Sequence, residues 1–322
     1  MFDGPIFITG AGFIGREICA GSLLRGKEIV LVDVNPFALK ETASFENVTA
    51  IQCDIGNLTA ITALMKQFAP TTVIHTAAVT GAASLASPDK AWQVNAGGTE
   101  CVVRSAAIVG VRQFVHLSSF AVYGSSDLPM VEERSPCLPS STYGKSKLAA
   151  EKALEQFHDA FDQVGILRLA GVYGSKPGTG TTRSSTMIER LSDRCIAGLP
   201  LRFKAGVHRL DELIHVDDVL AALRAVFLAG TGKQVYNIGS GVHVTVTEIV
   251  GAFAANAPDV RHTFVDSDYD SVADEEINIP PLSIKRAKVE LGFAPKVELA
   301  IGIGRSLCAA DDHKRRQALE YN

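Results

Sequence analysis

Thr9-Gly10-Ala11-Gly12-Phe13-Ile14-Gly15, set directly after the apolar run 5–9 and directly before a helix-forming stretch, decides the fold. A strand that runs into Gly-x-Gly-x-x-Gly and then a helix opens a βαβ unit. The glycines permit a tight turn and the close approach of a pyrophosphate, whose charge meets the helix N-terminus. The second β-branched run, 28–33, closes on Asp33, 18 residues past Gly15, where a carboxylate takes adenosine ribose hydroxyls. No Arg or Lys follows until Lys40, so nothing awaits a 2'-phosphate and NAD is favoured over NADP.

Working outward, short apolar runs at 48–53, 72–76, 113–118 and 165–169 alternate with helical stretches near 13–25, 57–68, 88–109 and 143–160. Strands apolar at successive positions suit burial on both faces, and right-handed crossovers turn the alternation into a doubly wound, Rossmann-type parallel sheet. The expected class is α/β, with residues 1–170 as the dinucleotide-binding domain. Residues 171–322 are expected to form mainly a smaller C-terminal substrate lobe, interleaved with the sheet. That part holds a Gly/Ser/Thr-rich loop at 171–185, helical runs near 186–197, 216–229 and 245–255, a short strand at 234–238 and a last helix after Pro295.

Tyr143 and Lys147 stand four residues apart in the run Tyr143-Gly144-Lys145-Ser146-Lys147. Positions i and i+4 share a helix face, so the ammonium is expected beside the phenol, favouring its ionised form. A free tyrosine titrates near ~10, too high for a base at neutral pH, and a nearby cation lowers that. Tyr143 is the candidate acid/base.

The 322-residue chain, 47% hydrophobic and 20% charged with a net charge of −4, has neither the basic balance of a nucleic-acid binder nor that of an anionic-membrane binder. No apolar run approaches a membrane span, and no leader pattern precedes the first strand. The six cysteines are scattered without metal-ligand spacing, so no metal site is expected and they read as buried small hydrophobes of a reducing compartment, the cytoplasm.

With the glycine turn, the Tyr143/Lys147 pair and Ser118-Ser119-Phe120-Ala121-Val122-Tyr123-Gly124 in order, the chain resembles the extended short-chain dehydrogenase/reductase family, in its NAD-dependent epimerase/dehydratase branch. The likeness extends through His75-Thr76-Ala77-Ala78, Val94-Asn95-Ala96-Gly97-Gly98-Thr99, Leu167-Arg168, Ile214-His215-Val216-Asp217-Asp218 and Leu291-Gly292-Phe293-Ala294-Pro295. It implies a catalytic set of Tyr143 as acid/base, Lys147 as ribose ligand and pKa-lowering cation, and Ser119 as the hydroxyl that orients the substrate oxygen. Asn95 matches the asparagine that buttresses the nicotinamide side.

The cofactor is expected along Gly10, Gly12, Phe13, Ile14 and Gly15, then Asp33 and Val34, Asp54 and Ile55, Thr76, Ala77 and Ala78, Asn95, Leu117, Tyr143, Lys147 and Leu169. Asp54 either accepts from the adenine amino group or is a turn aspartate. Substrate contacts are expected from Thr80, Ser119, Phe120, Tyr143, Gly171, Arg183 and Arg209. The resemblance also implies a homodimer formed by the helices near 88–109 and 143–160. Trp92, Val102, Val103, Ala106, Leu148 and Leu154 would supply its apolar face unless they belong to the monomer core.

Three departures from the family pattern matter. The turn is one residue shorter than Gly-x-x-Gly-x-x-Gly. Phe120 and Ala121 occupy the places where dehydratases carry an Asp-Glu pair, which argues against removal of water. Gly171 and Asp211-Glu212-Leu213 stand where nucleotide-sugar members have an asparagine and an Arg-Asp-aromatic run, and an acid cannot replace a phosphate-gripping cation. Arg209 and Arg183 are the possible substitutes. The expected activity is NAD-dependent hydride transfer at a hydroxyl-bearing carbon of a sugar or nucleotide sugar, 4-epimerase-like. The alternatives are a dehydrogenase of a non-nucleotide sugar, sugar acid or small alcohol, and a non-catalytic dinucleotide-sensing regulator.

Overall fold

The computed structural model describes residues 4–174, 182–230, 232–270 and 279–320. Its strands in chain order are β1 (Ile6–Thr9), β2 (Ile29–Asp33), β3 (Val48–Gln52), β4 (Thr72–His75), β5 (Gln113–Ser119), β6 (Gln163–Leu169), β7 (Gly171–Tyr173), β8 (Leu201–Lys204), β9 (Arg209–His215), β10 (Lys233–Ile238), β11 (His243–Thr245) and β12 (His262–Val265). The helices begin with α1 (Phe13–Ala20), α2 (Pro36–Thr42), α3 (Leu58–Phe68), α4 (Gly81–Ala86), α5 (Pro88–Trp92) and α6 (Thr99–Val109). They continue with α7 (Thr142–Gln156), α8 (Arg183–Ile196), α9 (Val216–Ala229), α10 (Val246–Ala254), α11 (Lys285–Leu291) and α12 (Leu299–Glu320).

Seven strands pair in parallel in the order β10-β6-β5-β4-β1-β2-β3. The winding reverses between β1 and β4, where the carboxyl ends of an open α/β sheet leave a crevice. Strand periodicity divides the core. Ile6, Ile8, Leu31, Val115 and Leu167 face one way, toward α1 and α9, whereas Phe7, Val30, Val73, Phe114 and Ile166 face the layer of α3, α6 and α7. Both faces are covered, which is why these strands read as unbroken apolar runs.

The 234–238 strand, expected among the later lobe elements, is instead the edge strand of the large sheet, with Asn237 opposite Arg168. The α9 helix that precedes it packs Val219, Leu223 and Phe227 in the sheet's own core. A separate core gathers Met187 and Leu191 of α8, Phe203 of β8, Phe253 of α10 and Ile303 of α12. The helix expected over 88–109 is continuous in direction but contains a π-helical turn at Gln93–Gly98, the wider winding often found where a helix borders a site. Of the residues expected on a dimer face, Val102, Val103, Ala106 and Leu154 are fully buried in the monomer core, Leu148 is half-buried and Trp92 is exposed. Among the described residues, no helix is long and apolar enough to cross a membrane, and no cluster of metal-ligating side chains occurs.

Candidate active site

The glycine turn is built by close packing on one side and open space on the other. Gly10 has φ +93°, and a Cβ there would lie 2.7 Å from the Ala77 backbone nitrogen, while one on Gly15 would lie 1.9 Å from the Gly10 carbonyl oxygen. Neither position tolerates a side chain. A Cβ on Gly12 would meet no atom within 4 Å, so this is the point at which the turn can be approached. Thr76 Oγ1 donates to the carbonyls of Thr9 and Gly10, at 2.8 and 3.1 Å. The Asp33 carboxylate accepts from the Ala11 and Asn35 amides, both at 2.7 Å, so the acid that ends β2 is anchored against the turn.

The other expected cofactor residues divide by exposure. Val34 and Asp54 are solvent-facing, and Asp54 accepts from Gly56 N at 2.8 Å as a turn aspartate does. The side chains of Phe13 and Ile55 are packed inside the two sheet layers, so only their backbones face the turn region. Asn95 is buried on the π-helical turn and clamps Val79, accepting from its amide at 2.7 Å and donating to its carbonyl at 3.0 Å. A second Asn95 donation reaches Ser146 Oγ on α7 at 3.1 Å. Beside it, Thr99 Oγ1 gives its proton to the Asn95 carbonyl, so it accepts from His75 Nε2 at 2.8 Å, and His75 Nδ1 accepts from Thr9 at 2.6 Å. Burial pushes His75 down to about 3, so this chain from β1 through β4 to the π-helical turn is neutral. Arg16 pairs with Glu41 on α2.

Ser119, Tyr143 and Lys147 line one cavity of about 190 Å³ at the carboxyl ends of β1, β4, β5 and β6, together with Ile14, Thr76, Ala78, Leu117 and Leu169. Ser119 Oγ accepts from Ala121 N at 3.2 Å, and its hydroxyl favours the ionised form of the Tyr143 phenol. The Ser141 hydroxyl caps α7 through Gly144 N at 3.0 Å, starting the helix so that Tyr143 and Lys147 face β5. Lys147 is buried and its Nζ donates to the Leu117 carbonyl at 2.8 Å.

The charge relation between the two differs from the one their spacing suggests. Burial pushes the Tyr143 phenol up to about 12, with the Ser119 hydroxyl opposing. Burial also pulls Lys147 down to about 8, opposed by the Glu151 carboxylate. Desolvation dominates, and the resting tyrosine is a protonated acid.

Of the expected substrate contacts, Thr80, Phe120, Gly171 and Arg183 line the same cavity. Of the loop expected over 171–185, Gly171–Tyr173 form β7 and Arg183 opens α8, while 175–181 lie outside the described residues. Arg209 is not part of the cavity wall. It is exposed at the start of β9, opposite Thr245, two residues short of the point where that strand reaches the cavity. Asp211, one strand repeat further on, is the β9 side chain that lines it. Sequence reasoning also missed Ser84 of α4, Ser140 and Ser141 before Tyr143, and Ile279. The two serines adjoin the Tyr143 motif and were open to inference; Ile279 arrives by tertiary packing alone.

The family model described as NAD dependent epimerase/dehydratase family matches residues 6–239. A UDP-glucose 4-epimerase of Mycolicibacterium smegmatis is 29% identical over 314 residues, covering 93% of this chain and 96% of the relative. A dTDP-glucose 4,6-dehydratase of Streptomyces antibioticus is 28% identical over 316 residues, covering 94% and 91%. The solved structure of MoeE5 in complex with UDP-glucuronic acid and NAD superposes with a TM-score of 0.81 at 27% identity, covering 96% of this chain and all of its own.

Proposed function

Because this chain belongs to the NAD-dependent epimerase/dehydratase family, we propose that it binds NAD and moves a hydride to and from a hydroxyl-bearing carbon of a sugar or nucleotide sugar, in the manner of a 4-epimerase. The observation that carries this reading is the meeting of Ser119, Tyr143 and Lys147 with the glycine-turn helix in one cavity. The residues suit a dinucleotide. Gly12 leaves the turn approachable, the N-terminus of α1 offers its amides to a pyrophosphate, and Asp33 is held beside Ala11 for ribose hydroxyls. Lys147 would hold the second ribose, and a bound nicotinamide supplies the hydride acceptor and donor.

The remaining chemistry belongs to the side chains. Tyr143 takes the hydroxyl proton as the carbon is oxidised and returns it to the carbonyl oxygen on reduction, with Ser119 holding that oxygen by a hydrogen bond. The protonated resting phenol suits the returning step, and the Lys147 ammonium favours the ionised form required for the first. Phe120 and Ala121 line the cavity without an acid, so elimination of water is not part of the proposed reaction.

A panel of UDP- and dTDP-hexoses, free sugars and sugar acids with NAD tests the proposal by product chromatography and nicotinamide absorbance. Isomerised product without net reduced cofactor is expected. Accumulating reduced cofactor would make the protein a dehydrogenase, and NAD binding without turnover of any member would leave only the sensing role. One observation favours a non-nucleotide carbohydrate as the second reading: the cavity wall presents Asp211 where a diphosphate grip would stand and Arg209 is outside it, which leaves Arg183 as the cation on the wall that a nucleotide sugar would have to use. We assign the protein to the cytoplasm, where its six unpaired cysteines are stable, and to a homodimer through the helical layer that exposes Trp92. Light scattering on the purified protein checks the dimer.

A further inference from the structure

The cavity contains one buried lysine whose charge has no obvious counterion. Lys147 donates to a neutral carbonyl, and among the described residues no carboxylate lies within ion-pair distance of it. The groups around it on neighbouring elements supply no negative charge. His75 on β4 and His116 on β5 are fully buried and held neutral, Tyr143 precedes it on α7 as a neutral phenol, and Arg168 on β6 is itself a cation. Across the cavity stand Arg183 and Asp211. The remaining acid is Glu151, one turn further along α7, on the same face as Lys147 and buried.

Glu151 is heavily engaged. It accepts from Ser118 Oγ at 2.5 Å and from Arg168 at 2.7 Å through Nη2 and 3.1 Å through Nε. Arg168 Nη1 continues to Tyr123 at 3.0 Å and to the Glu133 carbonyl at 3.1 Å, and Tyr123 donates to Asn237 on β10 at 2.6 Å. Ser118 is the residue before Ser119. One carboxylate therefore ties the helix bearing Tyr143 and Lys147 to the strand bearing Ser119, and both to the edge of the sheet.

We propose that Glu151 is a positioning residue of this active site, locking α7 onto β5 through Ser118 and onto β6 through Arg168 while its buried charge keeps Lys147 a cation. The inference rests on the catalytic reading of Lys147, but its electrostatic half concerns the cofactor-free protein. The direction agrees with the opposed shifts on Lys147, where burial lowers and Glu151 raises. Arg168 shares the Glu151 charge, yet burial and Glu151 are the influences that move Lys147.

The test is the titration of Lys147 in cofactor-free protein labelled with [13Cε]lysine, its resonance assigned by its absence in Lys147→Arg. Glu151→Gln is expected to lower the midpoint by about one pH unit, a tenfold change in the ratio of charged to neutral form. Glu151→Asp, which keeps the charge, is expected to titrate as the parent does. Should Glu151→Gln fail to fold because Arg168 is left unpaired, the double variant with Arg168→Met removes both charges, and its Lys147 is again expected to titrate below the parent. An unshifted midpoint in the folded variant, or an equal shift in Glu151→Asp, overturns the proposal. Absence of turnover with every sugar would instead overturn the catalytic reading and leave this titration standing.

Discussion

At the scale of single residues the site depends on protons held where burial disfavours charge. Tyr143 needs a proton-accepting state that its surroundings oppose, and its loss should be felt in turnover more than in binding. Tyr143→Phe is expected to lower kcat by roughly 10²–10⁴-fold while leaving the NAD dissociation constant within about twofold, measured by single-turnover kinetics and calorimetry. Unchanged kcat would remove Tyr143 from the mechanism. Lys147 sets a second limit. Its ammonium is pulled down to about 8, so the cationic form declines as pH rises past that value. The pH profile of kcat/KM, which reports the free enzyme, is expected to fall on its alkaline side from about that pH. A flat profile well into the alkaline range would mean that the lysine charge is not required.

At the scale of elements the strand–turn–helix entry is the most constrained piece. A methyl group at Gly15 would collide with the Gly10 carbonyl 1.9 Å away, both within backbone that cannot step aside. Gly15→Ala is expected to cost about 1–3 kcal/mol of stability by overpacking and to weaken NAD binding, read by urea unfolding and by calorimetry. An alanine variant that unfolds and binds as the parent does would show that the turn is looser than its packing implies. These elements were legible because their signals are local: glycines where the chain must turn closely, a Tyr/Lys pair four residues apart on a helical run, and unbroken apolar runs where helices cover both faces. The short strands β7, β8, β9, β11 and β12 were not. Three to seven residues long, they are defined by partners distant in the chain, as when β12 pairs with β8. The helices α2 and α4 were missed for the related reason that seven and six residues hold too little periodicity to register.

At the scale of the whole molecule, separate segments are gathered by buried polar clamps. Glu212 on β9 is fully buried, and its carboxylate accepts from Gly241 N and Leu282 N, both at 2.7 Å, tying the turn after β10 to the segment that brings Ile279 to the cavity. Burial raises it from 4.5 to about 7, with the amide bonds opposing. Because the folded value lies above the unfolded one, the folded state binds the proton more tightly. This contribution to stability is complete below about 4.5 and is lost as pH rises through about 7. Urea unfolding from pH 4.5 to 8 should therefore show a decline of the order of 3 kcal/mol that Glu212→Gln lacks, though that variant is weaker throughout because an amide cannot accept from both backbone donors through two oxygens. Parallel curves for the two proteins would mean that Glu212 does not titrate in this range.

The chain by itself determined the doubly wound sheet, the glycine turn after β1, the acid at the end of β2 and the pairing of Tyr143 with Lys147 on one helix face, because each follows from spacing within a few residues. Only the tertiary structure decided that β10 closes the large sheet, that Asp211 and not Arg209 reaches the cavity, and that burial leaves the tyrosine protonated and the lysine weakened as a cation. Desolvation depends on everything that packs around a group, and the position of a strand end depends on partners hundreds of atoms away along the chain, so neither is written in any short stretch of residues.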